Sequence, residues 1–331
     1  MLLRRSAVFA AMTLCAFTAT GLGIAACSDD ATAPSAAPDS AVTPAPTSTT
    51  DSAPPQPVPD SGADTGPATL AVTVDFAARV GALPASCGTT YATLGTTAAS
   101  VKLADFRFYV HAVELVRADG VSVPVALTDD AKWQNQNVAL LDFEDGTMDC
   151  ATDGNADMNS TVKGQVPAGS YKGLKFVLGV PFAKNHANQA TAPSPLNLGK
   201  LFWSWNSGYL FAKIEGNPQG MDTGGNPYGP FLFHLGSTAC VGDATDGGVT
   251  SCGKPNRLPV SLPLYELGKS KVVFDYAALV SASDLLVNGG GPPGCMSFPG
   301  DPECPAVFQN LGLDYATGMP TATPGTAFKL E

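Results

Sequence analysis

The sequence predicts an all-β fold: one antiparallel sandwich or barrel-like domain, stapled by disulfides and preceded by a disordered tether. Three observations carry that prediction. Apolar and polar residues alternate at period two in nine separate segments, 35 Gly and 28 Pro punctuate the 331 residues, and helical periodicity is confined to Tyr276–Val287. Period two puts alternate side chains on opposite faces of a strand, and this much Gly and Pro excludes a helical bundle or coiled coil.

The chain begins with a segment that reads as a secretory signal. Arg4 and Arg5 form a positive start, and 6–26 is apolar or small without a charge. Ile24-Ala25-Ala26-Cys27 resembles a bacterial lipobox, so residues 1–26 are expected to be a lipoprotein signal peptide and Cys27 the lipidated first mature residue. A plain transmembrane helix is the alternative; the small residues at the end and the acidic Ser28-Asp29-Asp30 argue against it. Residues 27–67 then form a Pro/Thr/Ser-rich linker, with nine Pro and no aromatic, Lys or Arg. Such a stretch cannot bury enough apolar surface to order itself, and its reach runs from roughly 35 Å as coil to about 120 Å extended.

Residues 68–331 are long enough for one substantial core. Strands are expected at Leu70–Val80, Leu103–Val116, Val121–Leu127, Val138–Phe143, Tyr171–Val180, Leu201–Ile214, Phe231–Leu235, Leu258–Leu264 and Lys271–Phe274, separated by Gly, Pro, Asn and Asp clusters. Six cysteines remain beyond Cys15 and Cys27, all in loop-like surroundings. Six allow 15 pairings; proximity favours Cys240–Cys252 and Cys295–Cys304, leaving Cys87–Cys150. Metal ligation by cysteine is the rival, but no Cys-x-x-Cys is present. Cysteines in this number point to an oxidising compartment. The net charge of −11 argues against nucleic acid and against docking on anionic lipid, so the expected membrane contact is the lipid anchor alone.

Chemistry-bearing residues are few. The three histidines are His111 on the face of a strand shared with Arg107 and Tyr109, His186 in a loop after Gly179-Val180-Pro181-Phe182, and His234 opposite Phe231, Phe233 and Leu235. A hydrogen-bonded structural role is the alternative for each. In Phe202-Trp203-Ser204-Trp205 an extended strand would put Trp203 and Trp205 on one face, with core packing as the plain explanation. Asp153, Asn155, Asp157 and Asn159 recur every second residue, a spacing that can wrap Ca²⁺; a solvated acidic loop is the alternative, since no Glu closes the loop. No nucleophile–base or paired-carboxylate constellation appears, so the chain is not expected to be an enzyme.

An ordered set of motifs carries a family resemblance: Phe108-Tyr109-Val110-His111, Gly179-Val180-Pro181-Phe182 with Asn185-His186, Pro195-Leu196-Asn197, Phe202-Trp203-Ser204-Trp205 with Gly208-Tyr209, and Phe233-His234-Leu235-Gly236-Ser237 with Cys240. Together they resemble the MbnP-like copper-binding family, the four-Cys proteins of metallo-mystery pairs, over most of 69–275. The stretch from about 285 to 331, with Cys295 and Cys304, departs from that pattern and reads as an added, separately stapled tail.

The resemblance implies a lipid-anchored copper-binding protein of the bacterial periplasm or cell surface (outer membrane), acting in copper uptake, storage or delivery. It further implies that a partner di-haem enzyme related to cytochrome c peroxidases oxidises a tryptophan to kynurenine: Trp203 or Trp205, with Trp133 a third choice. The implied ligands are His111, His186 and His234, the first two ahead because His234 could brace the fold, with Met221 or Met296 as an added soft ligand. Copper, as Cu(I), is the cofactor that neutral imidazoles and an amine suit. A non-metal cell-surface β-sandwich adhesion or scaffold module is the alternative, with the tryptophans serving as core or as a sugar platform.

Overall fold

The computed structural model describes residues 68–204, 207–243 and 248–331; the expectations for the signal segment 1–26, Cys27, the rest of the 27–67 linker and Trp205 lie outside the described residues. The fold is an all-β sandwich of two facing sheets. In the first, Phe328–Leu330, Lys271–Asp275, Thr69–Val80, Thr161–Pro167 and Ala126–Leu127 lie side by side in that order. In the second the order is Leu258–Glu266, Tyr171–Leu178, Ala99–Arg117, Ala212–Pro218, Phe231–Leu235 and Gly294–Cys295. Val138–Asp142 also pairs with the Ala99–Arg117 strand. Pairing is antiparallel except where Thr69–Val80 meets Lys271–Asp275 and where Phe231–Leu235 meets Gly294–Cys295, which run parallel.

Aromatic side chains from the two inner faces hold the sheets together. Phe76 meets Phe108 and Phe176 edge-on, with centroids 6.2 and 5.6 Å apart, and Phe274 meets Phe106 and Phe108 at 5.6 and 5.2 Å. Phe328 stacks on Phe274 at 4.4 Å. Offset and edge-to-face geometry suits the ring quadrupoles, so these contacts add orientation to area burial.

The strand Ala99–Arg117 departs from simple alternation at two places. Its register with Ala212–Pro218 shifts between Asp105 and Leu103, and Ala112 has φ +49° where the register with Tyr171–Leu178 also shifts. Each irregularity re-aims the side chains that follow it. Between them Asp105–Val110 is buried on both faces: Phe106, Phe108 and Val110 point into the sandwich, and Asp105, Arg107 and Tyr109 are covered from outside.

Other expected elements are modified by loop chemistry. Leu201–Ile214 is not one strand: a small ribbon of Phe202–Ser204 with Gly208–Tyr209 precedes Ala212–Pro218. Trp203 lies in the ribbon strand Phe202–Ser204; the expectation that Trp205 shares its face falls outside the described residues. Val121–Leu127 divides into Ser122–Pro124 and Ala126–Leu127, which join different sheets. Only Tyr276–Leu279 of the expected helix forms, with Asp275 accepting a bond from the Ala277 amide; Ser281, Ser283 and Asp284, which compete for backbone bonds, follow it. Conversely Cys304–Leu311 is a helix, with Pro305 in its first turn and Gly312 as its cap at φ +88°. Both signals are legible in the sequence. Among the described residues no helix is long and apolar enough to cross a membrane.

Three disulfides form: Cys87–Cys150, Cys240–Cys252 and Cys295–Cys304. The third staples the C-terminal stretch, but that stretch is not a separate appendage. Gly294–Cys295 and Phe328–Leu330 each extend a main sheet, and Cys304, Val307, Phe308 and Leu311 belong to the common core. Phe308→Ala is therefore expected to lower global stability by about 3–5 kcal/mol in one cooperative transition; a denaturation curve in which the bulk of the domain keeps its midpoint would contradict a shared core.

Candidate metal centre

The covered outer face of the Ala99–Arg117 strand organises the site. Asp105, Arg107, Tyr109 and His111 alternate along it, and neighbouring strands add Lys213, Glu215 and His234, with Lys213 in register with both Arg107 and His234. The cover is the 179–211 segment. Tyr109 Oη donates to the Pro195 carbonyl at 2.9 Å, and the Tyr109 ring meets Tyr209 edge-on at 6.0 Å. Tyr209 in turn donates from Oη to the Leu196 carbonyl at 2.5 Å and from its amide to Asn185 Oδ1 at 3.0 Å. Gly208, at φ +79°, lies so close that a Cβ there would sit 2.6 Å from Asn185 Cγ. Only glycine meets both the backbone angle and the approach.

The half-buried His111 has its Nδ1 2.8 Å from the Gly179 carbonyl. A carbonyl only accepts, so Nδ1 carries the proton and Nε2 keeps its lone pair. Burial lowers the His111 pKa, and the nearby Arg257 cation lowers it further against the raising effect of the Gly179 bond. The ring is thus held neutral in the tautomer a metal ligand uses.

His186 caps the short turn Phe182–Asn185 on the same segment and is 5 % exposed. Because the Tyr209 amide fixes Asn185 Oδ1, the Asn185 amide nitrogen faces His186 Nε2, at 3.2 Å, and donates to it. Phe182 packs edge-on to the His186 ring at 5.3 Å. Arg257 lies over both Phe182 and Phe211 and donates to the Val180 carbonyl at 2.6 Å. His111 is therefore bonded to one end of a short stretch, Gly179–His186, whose other end is His186 itself. Sequence reading missed the parts played by the Gly179 carbonyl, Asn185 and Arg257. The first two sit inside quoted motifs; Arg257 carries no sequence signal.

His234 stands apart, which corrects the expectation of a three-histidine cluster. It is level with Arg107, four residues along the strand from His111 and two strands across, a separation of roughly 16 Å between Cα atoms from sheet spacings. Its Nε2 lies 2.6 Å from Glu215 Oε1, while its buried Nδ1 has no hydrogen-bond partner among the described residues. Trp203 sits beside it, with ring centroids 6.4 Å apart, and stacks on Phe298 at 5.3 Å. A Cβ on Gly236 would approach Trp203 Cζ3 to 2.7 Å, so this indole is wedged in place.

Around His234 runs a buried ionic network. Arg107 grips Asp105 through Nε at 2.8 Å and through Nη2; Lys213 reaches Asp105, Asp153 and Glu215 at 2.9, 2.7 and 3.3 Å. Burial would raise Glu215, but its bonds to His234 and Lys213 outweigh that and hold it below the ordinary glutamate value. Lys200 and Lys213 together hold Asp153 down at about 2. Asp142 goes the other way: burial pushes it up to about 8 despite the Arg107 charge.

These bonds also correct the calcium expectation. Asp153 is committed to two lysines, Asp157 to Lys132 at 2.8 Å, and Asn155 Oδ1 and Asn159 Oδ1 accept from the Asp157 and Thr161 amides. The four side chains are spent on separate partners and do not converge on a cation. Met221 is 66 % exposed in the 219–229 loop, at the far end of the sheet from His111. Met296 donates its amide to Asp301. Trp133 is half-buried in a turn, with Lys132 over its ring at 4.9 Å and its amide bound to Asp130. One further cluster has metal-like spacing: His186, Cys240 and Cys252 each bring a ligand atom within 4.8 Å of the others. The two sulfurs are joined in a disulfide, which has no thiolate to offer.

Comparison with known proteins adds two findings. The family profile described as MbnP matches residues 69–297. Among solved structures, MbnP from Methylosinus trichosporium superposes with a TM-score of 0.72 at 36% identity, covering 80% of this chain and 98% of that one. No curated protein matches.

Two pH effects follow from the geometry. Asp142 binds its proton more tightly folded than unfolded, so between about 4 and 8 the folded state holds the extra proton and stability falls as pH rises. Asp142→Asn is expected to flatten that decline in unfolding curves measured across the range; an unchanged slope would refute it. The His111 ring is expected to titrate below 6.5 in an imidazole NMR titration, and a midpoint above it would contradict its assigned neutrality.

Proposed function

Because the chain belongs to the MbnP family, we propose that it is a copper-binding protein, not an enzyme, which holds Cu(I) between His111 and His186 with an amine from an oxidised tryptophan. The observation that carries this reading is the His111–Gly179 bond: it leaves Nε2 as a neutral nitrogen donor, and the same backbone segment presents His186. Two neutral imidazoles in a sheltered, aromatic-lined setting suit Cu(I) at low coordination number. An intact indole cannot be the third ligand, because its N–H only donates; opening the ring exposes an aryl amine with a free lone pair. A di-haem peroxidase-related partner supplies the oxidation, with this chain as its substrate. Trp205 is preferred over Trp203 as the converted residue. Trp203 is packed beside His234, whose Nε2 is already bonded to Glu215, whereas Ser207, two residues after Trp205, contacts the Asn185 that orients His186.

Lipidation of Cys27 would tether the domain to a bacterial membrane, with the linker as spacer, in the periplasm or at the cell surface. Three disulfides support an oxidising compartment. The role is copper uptake, storage or delivery, in keeping with ligands rather than catalytic groups at the site.

His111→Ala and His186→Ala are each expected to weaken Cu(I) binding more than about a hundredfold in competition with a chromophoric chelator. His234→Ala should keep copper while losing stability through the orphaned Glu215. Protein from its own host should carry copper and one ring-opened tryptophan by peptide mapping. Wild-type affinity in His111→Ala, or two intact indoles in copper-free native protein, would sink this reading in favour of an adhesion module.

A further inference from the structure

The Cys240–Cys252 bridge differs from the other two in where it lies. It joins directly opposed residues of a two-stranded ribbon, Thr238–Asp243 with Gly248–Lys254, that pairs with no other strand among the described residues. Cys240 and Cys252 are both half-exposed; Cys87 is half-exposed as well, but its partner Cys150 is 1 % exposed, and Cys295 and Cys304 are both 0 % exposed. A thiolate must reach a sulfur to exchange with it, and Cys240–Cys252 is the bridge, of the three described, with both cysteines accessible to attack. Cys252 Sγ also lies 3.5 Å from His186 Nε2, whose lone pair accepts from the Asn185 amide; a cation at this nitrogen takes that lone pair, and Asn185 keeps its bond to the Ser207 carbonyl at 3.3 Å.

We infer that Cys240–Cys252 is a reducible gate on His186: once opened, its two thiolates and the imidazole form a one-nitrogen, two-sulfur site for a soft cation such as Cu(I). The step needs a two-electron reductant, a dithiol of the Cys-x-x-Cys class. One of its thiolates attacks a bridge sulfur, giving a mixed disulfide and releasing the other cysteine as thiolate. The second thiol of the reductant then displaces the remaining cysteine, so the reductant leaves as a disulfide and both cysteines are reduced. The incoming cation displaces the two thiol protons. Ribbon pairing outside the bridge, at Thr238 with Lys254 and Val241 with Ser251, keeps the two cysteines facing each other after the covalent bond is gone. The Asn256 side chain donates to the Gly236 carbonyl at 2.7 Å and Thr238 donates to Ser297, anchoring the base of the ribbon. Soft thiolates favour Cu(I), so reduction strengthens the grip on copper and reoxidation of the pair to the bridge loosens it. The inference rests on the reading of His186 as a copper ligand and adds a redox input to that site.

The full mature chain would be exposed anaerobically to a graded dithiol, and opened cysteines mapped by alkylation and mass spectrometry, with circular dichroism following the fold. Cys240 and Cys252 should be labelled first. Cu(I) alone, titrated against a chromophoric chelator, should then bind on the order of tenfold tighter or more than before reduction, with sulfur entering the copper shell by X-ray absorption. The Cys240→Ser/Cys252→Ser double variant should show no gain on reduction; should it fail to fold, the wild-type comparison before and after reduction suffices. Prior opening of another bridge, or unchanged affinity with no sulfur bound after Cys240–Cys252 has opened, would overturn the inference. Copper binding only after reduction would leave it standing and sink the imidazole–amine site of the oxidised protein.

Discussion

The constraint on which the rest depends is a strand buried on both faces. Between its two irregularities, Asp105–Val110 gives Phe106, Phe108 and Val110 to the sandwich and Asp105, Arg107 and Tyr109 to an outer layer. A central strand with polar outward residues would ordinarily face water. Here water is replaced by the 179–211 segment, and the replacement works because Tyr109 and Tyr209 donate to the Pro195 and Leu196 carbonyls of that irregular backbone. Buried loop backbone is tolerated only when such partners exist. Tyr109 thus ties the sheet to the segment that presents His186, and Gly179, on the same segment, sets the tautomer of His111.

Further down the same outer face the solution is ionic instead of aromatic. Arg107 and Lys213 are nearly inaccessible; Arg107 faces the carboxylates of Asp105 and Glu144, and Lys213 those of Asp105, Asp153 and Glu215. Desolvating so many charges costs heavily, so the network is weak evidence of net stability, yet removing one member would strand the rest. Its structural effect is clear from the partners: it fastens the Asp153 loop to the sheet and occupies His234 through Glu215. The outer face therefore divides into a charged half, which engages His234 Nε2 through Glu215, and an aromatic half around His111 and His186, where the Gly179 bond leaves His111 Nε2 with its lone pair.

Period two, turn residues and cysteine proximity were enough to read out the sandwich class and the Cys240–Cys252 and Cys295–Cys304 bridges, which depend on residues near one another in sequence; Cys87–Cys150, 63 residues apart, followed as the pair left over. The same local information overran at Leu201–Ile214, where Gly208 forces a turn against Asn185, and it missed the helix Cys304–Leu311 despite Pro305 and Gly312. The C-terminal stretch looked detachable because its cysteines pair with each other; its strands and Phe308 show that pairing says nothing about where the enclosed residues pack.

The sequence by itself determined which residues carry nitrogen lone pairs and sulfur, and on which face of a strand His111 and His234 would lie. Only the tertiary structure decided which of them work together. Strand order and register put two strands and four residues between His111 and His234, while a loop return brings His186 to the segment whose Gly179 carbonyl holds His111. It also set the half-exposed Cys240–Cys252 bridge against the His186 ring. Side-chain periodicity is a property of neighbours along the chain; register and loop return are settled by the packing of residues far apart in it.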